Sequence, residues 1–320
     1  MTFRVADPDR RYAAVRLSSD LHLDGSFRRD GDDWVLEIDA PGIARLEYKL
    51  ELEHADGTTE TVLDPENPNR APGAFGEKSV MLTEQYEPPA WLDAPGVEGH
   101  VHELSIRARG LGTEMKVRLW DGGGAPLLVA HDGPEYERLA SLTRYSGAMI
   151  ASGALPPHRV ALLAPADRDD WYSASGRYTR ALATDVMRAL HPVDPVGMGA
   201  SLGALAMLHA HVRRPFAGLF LQSGSFFSMR HDAHEERFSR FQRVIRAVRE
   251  LKRDAGVPER VTMTCGALEE NLANNRDMAR ALAEQEFDVE LAVVPDMHNY
   301  TGWRDALHPH LTHLLLRVWG

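Results

Sequence analysis

A serine with glycine two residues to either side, Gly199-Ala200-Ser201-Leu202-Gly203, is where this sequence specifies a chemistry most directly. A hydroxyl at the apex of a sharp strand-to-helix turn sits on strained backbone, so its neighbours two before and two after must be small, and the stretch reads as a nucleophile elbow. The context fits, with a short apolar run, Pro195 to Met198, before the turn and an Ala- and Leu-rich helical pattern, Leu202 to His211, after it. Without chemistry the same residues would be a Gly-rich turn. A serine hydroxyl is a poor nucleophile until an imidazole accepts its proton and a carboxylate stabilises the imidazolium. Downstream the chain offers Glu269 and Glu270 after TMTCG, then His298 after AVVPD. Of the fifteen histidines, His298 stands between the last expected strand and the last expected helix, and it is the expected base. For the acid, Glu269 is favoured over Glu270, although either could instead cap the helix starting near Leu272, where Asn271 is a rival cap. Asp296, two residues before the base, is the runner-up.

Acyl chemistry also needs two backbone amides aimed at the developing oxyanion, each worth about 3 to 4 kcal/mol where measured. One expected donor is Leu202, the residue after the nucleophile. The other belongs to the loop His131 to Tyr136, where Pro134 has no amide, leaving Gly133 or Glu135. As plain structure this loop would be a tight strand-to-helix connection. His308, His310 and His313 cluster near the C-terminus without an acidic or cysteine partner beside them and read as surface residues. No metal site and no cofactor are expected.

These residues require a scaffold, and the sequence changes rhythm to supply one. From Trp34 to about Leu82 alternation of period two, as in ARLEYKLELEHADGTTETVLD, predicts antiparallel strands. EPPAWLDAPGVEG, residues 87–99, carries three prolines and two glycines and reads as a linker, which places an all-β sandwich at residues 1–96. Over residues 97–320 strands and helices alternate: VHELSIRA and EMKVRLW as antiparallel opening strands, then LLVAHDG, RVALLAP, PVGMG, AGLFLQSG, RVTMTCG and FDVELAVVP. Helices are expected at 137–152, 173–190, 237–255, 272–285 and 306–318. The alternation predicts a mostly parallel sheet with helices on both faces, an α/β fold whose ligands bind beyond the carboxyl ends of the strands. Those ends deliver His131, Asp132 and Gly133, then Asp167 and Arg168, Ser201, Ser223 and Gly224, Glu269 and Glu270, and finally His298. Serine, then acid, then histidine is the chain order of α/β-hydrolases.

Composition narrows the function classes. The 320 residues are 43% apolar and 26% charged, ordinary for a globular chain, and the net charge of −11 opposes nucleic acid and anionic membrane as partners. One cysteine, Cys265, excludes an intramolecular disulfide framework and any multi-cysteine metal site. The charged N-terminal stretch lacks the apolar segment of a signal peptide, and a cytoplasmic location is expected.

The pieces LLVAHDGPEY, GMGASLGALAML, GLFLQSGSFF, TCGALEENL and VVPDMHNYTGWRDAL together resemble the enterochelin (enterobactin) esterase-like α/β-hydrolases of bacteria. The early LEYKLELE followed by DPENPN is similar to the early-set sandwich that precedes the hydrolase in siderophore esterases. The resemblance implies a serine esterase with Ser201 as nucleophile, His298 as base and Glu269 or Glu270 as acid. It further implies that Arg168 and Trp303 line or brace the site, and Asp132 is carried with them as substrate-binding. Many members of that family have glycine before the histidine and aspartate after it, where this chain has Met297 and Asn299. For an anionic substrate, Arg168, Arg177, Trp171 and Tyr172 form one candidate stretch, which could equally be the start of a helix with a solvated face. Partners expected are a small-molecule ester and a second copy of the chain in a homodimer. The competing expectations are acyl transfer to a sugar or lipid, and a carbohydrate- or partner-binding module with an inactive hydrolase domain, for which Trp34, Tyr48 and Phe75 are the candidate stacking residues.

Overall fold

The computed structural model describes residues 1–21 and 24–320. Its contacts divide the chain into two compact units, the first comprising Met1–Glu87 with Gly266–Glu269 and Val294–Gly302, the second Pro88–Cys265, Glu270–Val293 and Trp303–Gly320.

The first unit is built on β1 (Thr2–Ala6), β2 (Tyr12–Ser19), β3 (Arg28–Asp30), β4 (Asp33–Glu37), β5 (Arg45–His54), β6 (Thr59–Val62), β7 (Arg70–Ala71) and β8 (Lys78–Leu82). They form two antiparallel sheets, one in the order β1-β4-β3 and one in the order β2-β5-β8-β7 with β6 added to β5. Alternate residues of β5, Leu46, Tyr48, Leu50 and Leu52, are buried in an apolar cluster with Phe3, Val5, Val15 and Trp34. Period-two patterning therefore builds this sandwich as expected. Strands β1 and β2 precede the stretch in which alternation is legible; YAAVRLSS lacks a regular alternation, and its strand is made by pairing with β5. Trp34 and Tyr48 lie in the core, Tyr48 donating to Asp64, so neither is a surface for stacking a sugar; Phe75 alone of the three is exposed, at 99%.

The second unit carries β9 (His100–Ala108), β10 (Thr113–Asp121), β11 (Pro126–Ala130), β12 (Arg159–Ala164), β13 (Val193–Ala200), β14 (Gly218–Gln222), β15 (Arg260–Gly266) and β16 (Asp288–Val294) in one sheet, ordered β16-β15-β14-β13-β11-β12-β10-β9. β9, β10 and β12 pair antiparallel, whereas β12, β11, β13, β14 and β15 run parallel. Leu127 to Ala130 and Leu219 to Leu221 are fully buried, as continuous apolar strands covered on both faces must be. The chain steps from β11 to β12 on one side and then to β13 on the other, so the crevice beyond the carboxyl ends of β11 and β13 is where this topology places a ligand site.

The helices are α1 (Gly133–Ala140), α2 (Leu142–Ala151), α3 (Arg168–Tyr172), α4 (Gly176–Ala181), α5 (Met187–Leu190), α6 (Leu202–Arg213), α7 (Phe241–Leu251), α8 (Leu272–Ala283), α9 (Tyr300–Asp305) and α10 (Thr312–Trp319). Several depart from the sequence expectation for local reasons. The helix expected over 137–152 begins earlier and is broken at Ser141, whose φ of 52° is left-handed. The one expected over 173–190 is preceded by α3, which Asp167 caps at the Asp170 N–H, and begins where Ser175 caps the Tyr178 N–H; a π turn over Leu182–Val186 joins α4 to α5. The charged helix expected over 237–255 contracts to α7. The closing helix is interrupted at His308, which precedes Pro309 and leaves helical geometry, as the proline ring requires of its predecessor.

Residues 87–99 are not a free linker. Trp91, in a helical turn at Ala90–Leu92, is buried edge-on to Tyr145, and Arg144 donates to the Leu92 and Ala94 carbonyls. The first unit's main segment accordingly ends at Glu87, not at 96, because an aromatic anchor commits the following residues to the second unit. Among the described residues no helix is long and apolar enough to cross a membrane.

Candidate active site

Ser201 stands between β13 and α6 with φ 55° and ψ −125°, a strained position for a residue with a side chain. The turn holds because its neighbours are glycine: a Cβ on Gly199 would lie 2.5 Å from the Gly203 carbonyl carbon. Backbone bonds complete the elbow, the Ser201 N–H donating to the Gln222 carbonyl (2.9 Å) and the Ser225 N–H to the Ser201 carbonyl (3.1 Å). The Ser201 Oγ lies 3.1 Å from the hydroxyl of Ser225, a buried group that the sequence reading passed over. Its signal was available, since Ser225 follows β14 by three residues at the same end of the sheet.

The loop after β11 is fixed from several directions. His131 is wholly buried, its Nδ1 2.8 Å from the Gly203 carbonyl and its Nε2 2.8 Å from the Tyr178 hydroxyl, and its ring lies against Tyr172. The carbonyl must be met by an N–H, so Nδ1 donates and Nε2 accepts from the tyrosine, which ties this loop to the first turn of α6. Asp132 adopts a left-handed conformation (φ 49°), and its N–H donates to the Tyr172 hydroxyl. A Cβ on Gly133 would sit 2.3 Å from the Leu162 Cα, so close passage over β12 demands glycine there. Gly133 and Glu135 occupy the first turn of α1, and Leu202 the first position of α6, where helix geometry supplies no intrahelical acceptor for an N–H.

Burial pushes the His131 and His158 imidazoles down to about 4, against an ordinary value of 6.5. Both are therefore neutral in the folded chain while the unfolded chain takes up protons below 6.5, and the stability they support above that pH is lost as pH falls towards 4. Each is expected to remove up to about 3 kcal/mol across this window. Urea unfolding midpoints measured from pH 7.5 to 4.5 should fall steeply below 6.5, and a flat profile would contradict this burial.

In the first unit, Glu269 follows β15 and His298 follows β16. Glu269 Oε2 lies 2.9 Å from His298 Nδ1, and its Oε1 accepts from the Gly266 N–H at 2.8 Å. The carboxylate side chain is 1% exposed and the imidazole 31%. With both carboxylate oxygens engaged, Nδ1 carries the proton and donates it to Glu269, leaving Nε2 as the basic nitrogen. The alternative acid is elsewhere: Glu270 pairs with His234 at 2.9 Å on a half-exposed surface. Asp296 is buried and bonded to Arg45, Asn299 and the Met297 N–H.

The other expected site residues have structural partners. Asp132 is buried, and both its oxygens accept from Arg168, with Nε at 2.9 Å and Nη2 at 2.8 Å. Trp303 is buried and donates from Nε1 to the Ser223 hydroxyl (2.9 Å), while its carbonyl accepts from Gln222, which makes it a brace on the loop after β14. In the stretch considered for gripping an anion, Trp171 and Tyr172 are buried, Trp171 stacking on Tyr178, and Arg177 donates to the Gly110 carbonyl. Among the described residues one group could offer a metal ion three ligand atoms, His234, Glu235 and Glu270, all at least partly exposed.

No family model and no curated protein matches the chain by sequence. Solved structures do match by shape. An enterobactin esterase of Shigella flexneri, crystallised with 2,3-dihydroxy-N-benzoyl-glycine, superposes with a TM-score of 0.77 at 18% identity, covering 100% of this chain and 93% of its own. Ferric enterobactin esterase of Salmonella typhimurium gives 0.77 at 18% identity, covering 99% and 93%. A fluorophosphonate-binding serine hydrolase of Staphylococcus aureus matches at 0.53 and 14% identity, covering 69% of this chain and 98% of its own. Over its whole length the chain has the fold of the enterobactin esterases, an α/β-hydrolase preceded by a β-sandwich.

Proposed function

We propose that this protein is a carboxylic-ester hydrolase that works through an acyl-serine on Ser201, with His298 as general base and Glu269 as the carboxylate behind it. The observation that carries the reading is the 2.9 Å bond between Glu269 and His298 Nδ1, which presents Nε2 as a proton acceptor. The strained elbow at Ser201 and the chain order serine, acid, histidine support it. In the reaction, Ser201 Oγ attacks the ester carbonyl while His298 Nε2 takes its proton. The oxyanion is held by the Leu202 amide and that of Gly133 or Glu135. Collapse of the tetrahedral intermediate expels the alcohol, protonated by His298, and water then attacks the acyl-serine with the same base. Attack by a sugar or lipid hydroxyl instead of water would make the protein an acyltransferase. Neither route calls on a metal or an organic cofactor.

The substrate class to test first is a small ester of the siderophore type, because the full-length structural matches are enzymes named for enterobactin. A fluorophosphonate reacts with serines activated by a base. Labelling followed by peptide mapping is expected to modify Ser201 and to fail in His298→Ala. A folded protein with neither label nor ester hydrolysis would overturn the reading.

A further inference from the structure

The sandwich reaches the base directly. Gly266–Glu269 and Val294–Gly302, the two loops bearing Glu269 and His298, cluster with Met1–Glu87. Two kinds of anchor hold them. One is apolar: Met297, immediately before the histidine, is 2% exposed in the sandwich core, and Leu268, immediately before the glutamate, packs on the same cluster. The other is polar and centred on Arg45, the first residue of β5, whose side chain is 2% exposed. Its Nη1 donates to Asp296 Oδ2 at 3.1 Å and to Asn299 Oδ1 at 2.9 Å, and its Nη2 to Glu47 Oε1 at 2.7 Å. Asp296 Oδ1 in turn accepts from the Met297 N–H (2.7 Å) and from Asn299 Nδ2 (2.8 Å). The Ala44 N–H donates to the Pro295 carbonyl at 2.7 Å, fixing the loop's entry.

We infer that Arg45 is a positioning residue for His298, and that the sandwich orients the catalytic base through the Arg45–Asp296–Asn299 network. The inference rests on the proposed role of His298. A planar guanidinium with several donors in fixed directions can span two residues of the loop and Glu47 together, which a lysine cannot do with one ammonium. His298 sits between Asp296 and Asn299 in the chain, so fixing both side chains fixes the backbone on either side of the imidazole. A misplacement of about 1 Å at a catalytic group can cost about a hundredfold in rate. The network also gives a physical reason for Met297 and Asn299, the residues at which this chain departs from the family pattern. At 297 methionine fills the sandwich core, which glycine could not, and at 299 the asparagine amide donates to Asp296 while accepting from Arg45, whereas an aspartate could accept from Arg45 but would set a second carboxylate against Asp296.

The test compares full-length Arg45→Lys and Asn299→Ala with Asp7→Asn. Asp7, itself buried, anchors a second ion-pair network in the sandwich, with the quarter-exposed Arg29 through Nη1 at 2.8 Å and with Trp34 Nε1 at 3.2 Å, and serves as the control for lost stability. Two readouts are taken well below each variant's unfolding temperature: kcat and KM with an ester, and the downfield proton resonance of His298 Nδ1–H, assigned by its loss in Glu269→Gln. Arg45→Lys and Asn299→Ala are expected to lower kcat by about ten- to a hundredfold with KM within about twofold, and to broaden or abolish the resonance. Asp7→Asn should lower the melting temperature yet keep kcat and the resonance. The inference is overturned if Arg45→Lys and Asn299→Ala fold and retain both readouts, or if Asp7→Asn loses them equally. If Arg45→Lys does not fold, Asn299→Ala, which leaves the Arg45–Glu47 and Arg45–Asp296 pairs in place, decides alone. Should the wild-type protein hydrolyse no ester, the catalytic reading fails by itself, and the resonance still reports whether Arg45 orients His298.

Discussion

Ser201→Ala is expected to lower kcat for the best ester substrate by about five to six orders of magnitude, with KM nearly unchanged. The size follows from the chemistry. Without Oγ no acyl-serine can form, and what remains is water attack on an ester polarised by the Leu202 amide and its partner donor. Residual acceleration over solution of about 10³-fold is what such donors and substrate binding alone provide. His298→Ala should cost nearly as much, because an unassisted serine hydroxyl holds its proton too tightly to attack. The informative measurement is the double variant. If the two side chains act as one unit, Ser201→Ala/His298→Ala is about as inactive as either single change, whereas independent contributions would multiply. Steady-state rates with fresh preparations, checked by active-site titration to exclude wild-type contamination, decide it. Retention of more than about 1% of activity in Ser201→Ala would remove the nucleophile from the scheme.

Glu269→Gln is expected to reduce kcat by about four orders of magnitude, and Glu270→Gln to change it by less than about twofold. The two residues are adjacent, yet their surroundings differ completely. Oε1 of Glu269 accepts from the Gly266 N–H and Oε2 faces His298 Nδ1. In the glutamine the amide oxygen must stay against the Gly266 N–H, which turns the NH2 group towards Nδ1. The imidazole then has to accept at Nδ1 and carry its proton on Nε2, so it can no longer take a proton from serine. It also loses the charge that stabilises the imidazolium. Glu270 instead faces His234 at a half-exposed surface, where a carboxylate–imidazole contact is worth about 1 kcal/mol or less and does not touch the proposed base. Equal losses in the two variants, or a larger loss in Glu270→Gln, would show that the 2.9 Å pair is a structural bond and that the acid is elsewhere.

The reach of the sequence can be judged from particular residues. Local patterns determined the fold class: alternation in RLEYKLELEH makes a half-buried strand, apolar runs such as PLLVA and GLFLQ make strands covered on both faces, and Gly199 permits a turn before Ser201 that a Cβ would forbid. Such features depend on residues close in the chain, so they are readable from it. The strand ends at which Asp132, Arg168, Ser201, Glu269 and His298 emerge were legible for the same reason. What neighbouring side chains do to one another over long separations was not. The sequence favoured Glu269 but could not resolve it from the neighbouring Glu270; the fold separates them by directing one to His298 and the other to His234. Tertiary structure alone took Trp34 and Tyr48 out of the stacking candidates by burying them, and committed Trp91 to a core where its prolines suggested a linker. It also decided that Arg45 on the sandwich meets Asp296 and Asn299, some 250 residues further on. No periodicity encodes that meeting, because a buried guanidinium is selected by the three-dimensional arrangement of its acceptors, and this arrangement exists only once both loops have folded onto the strand that carries it.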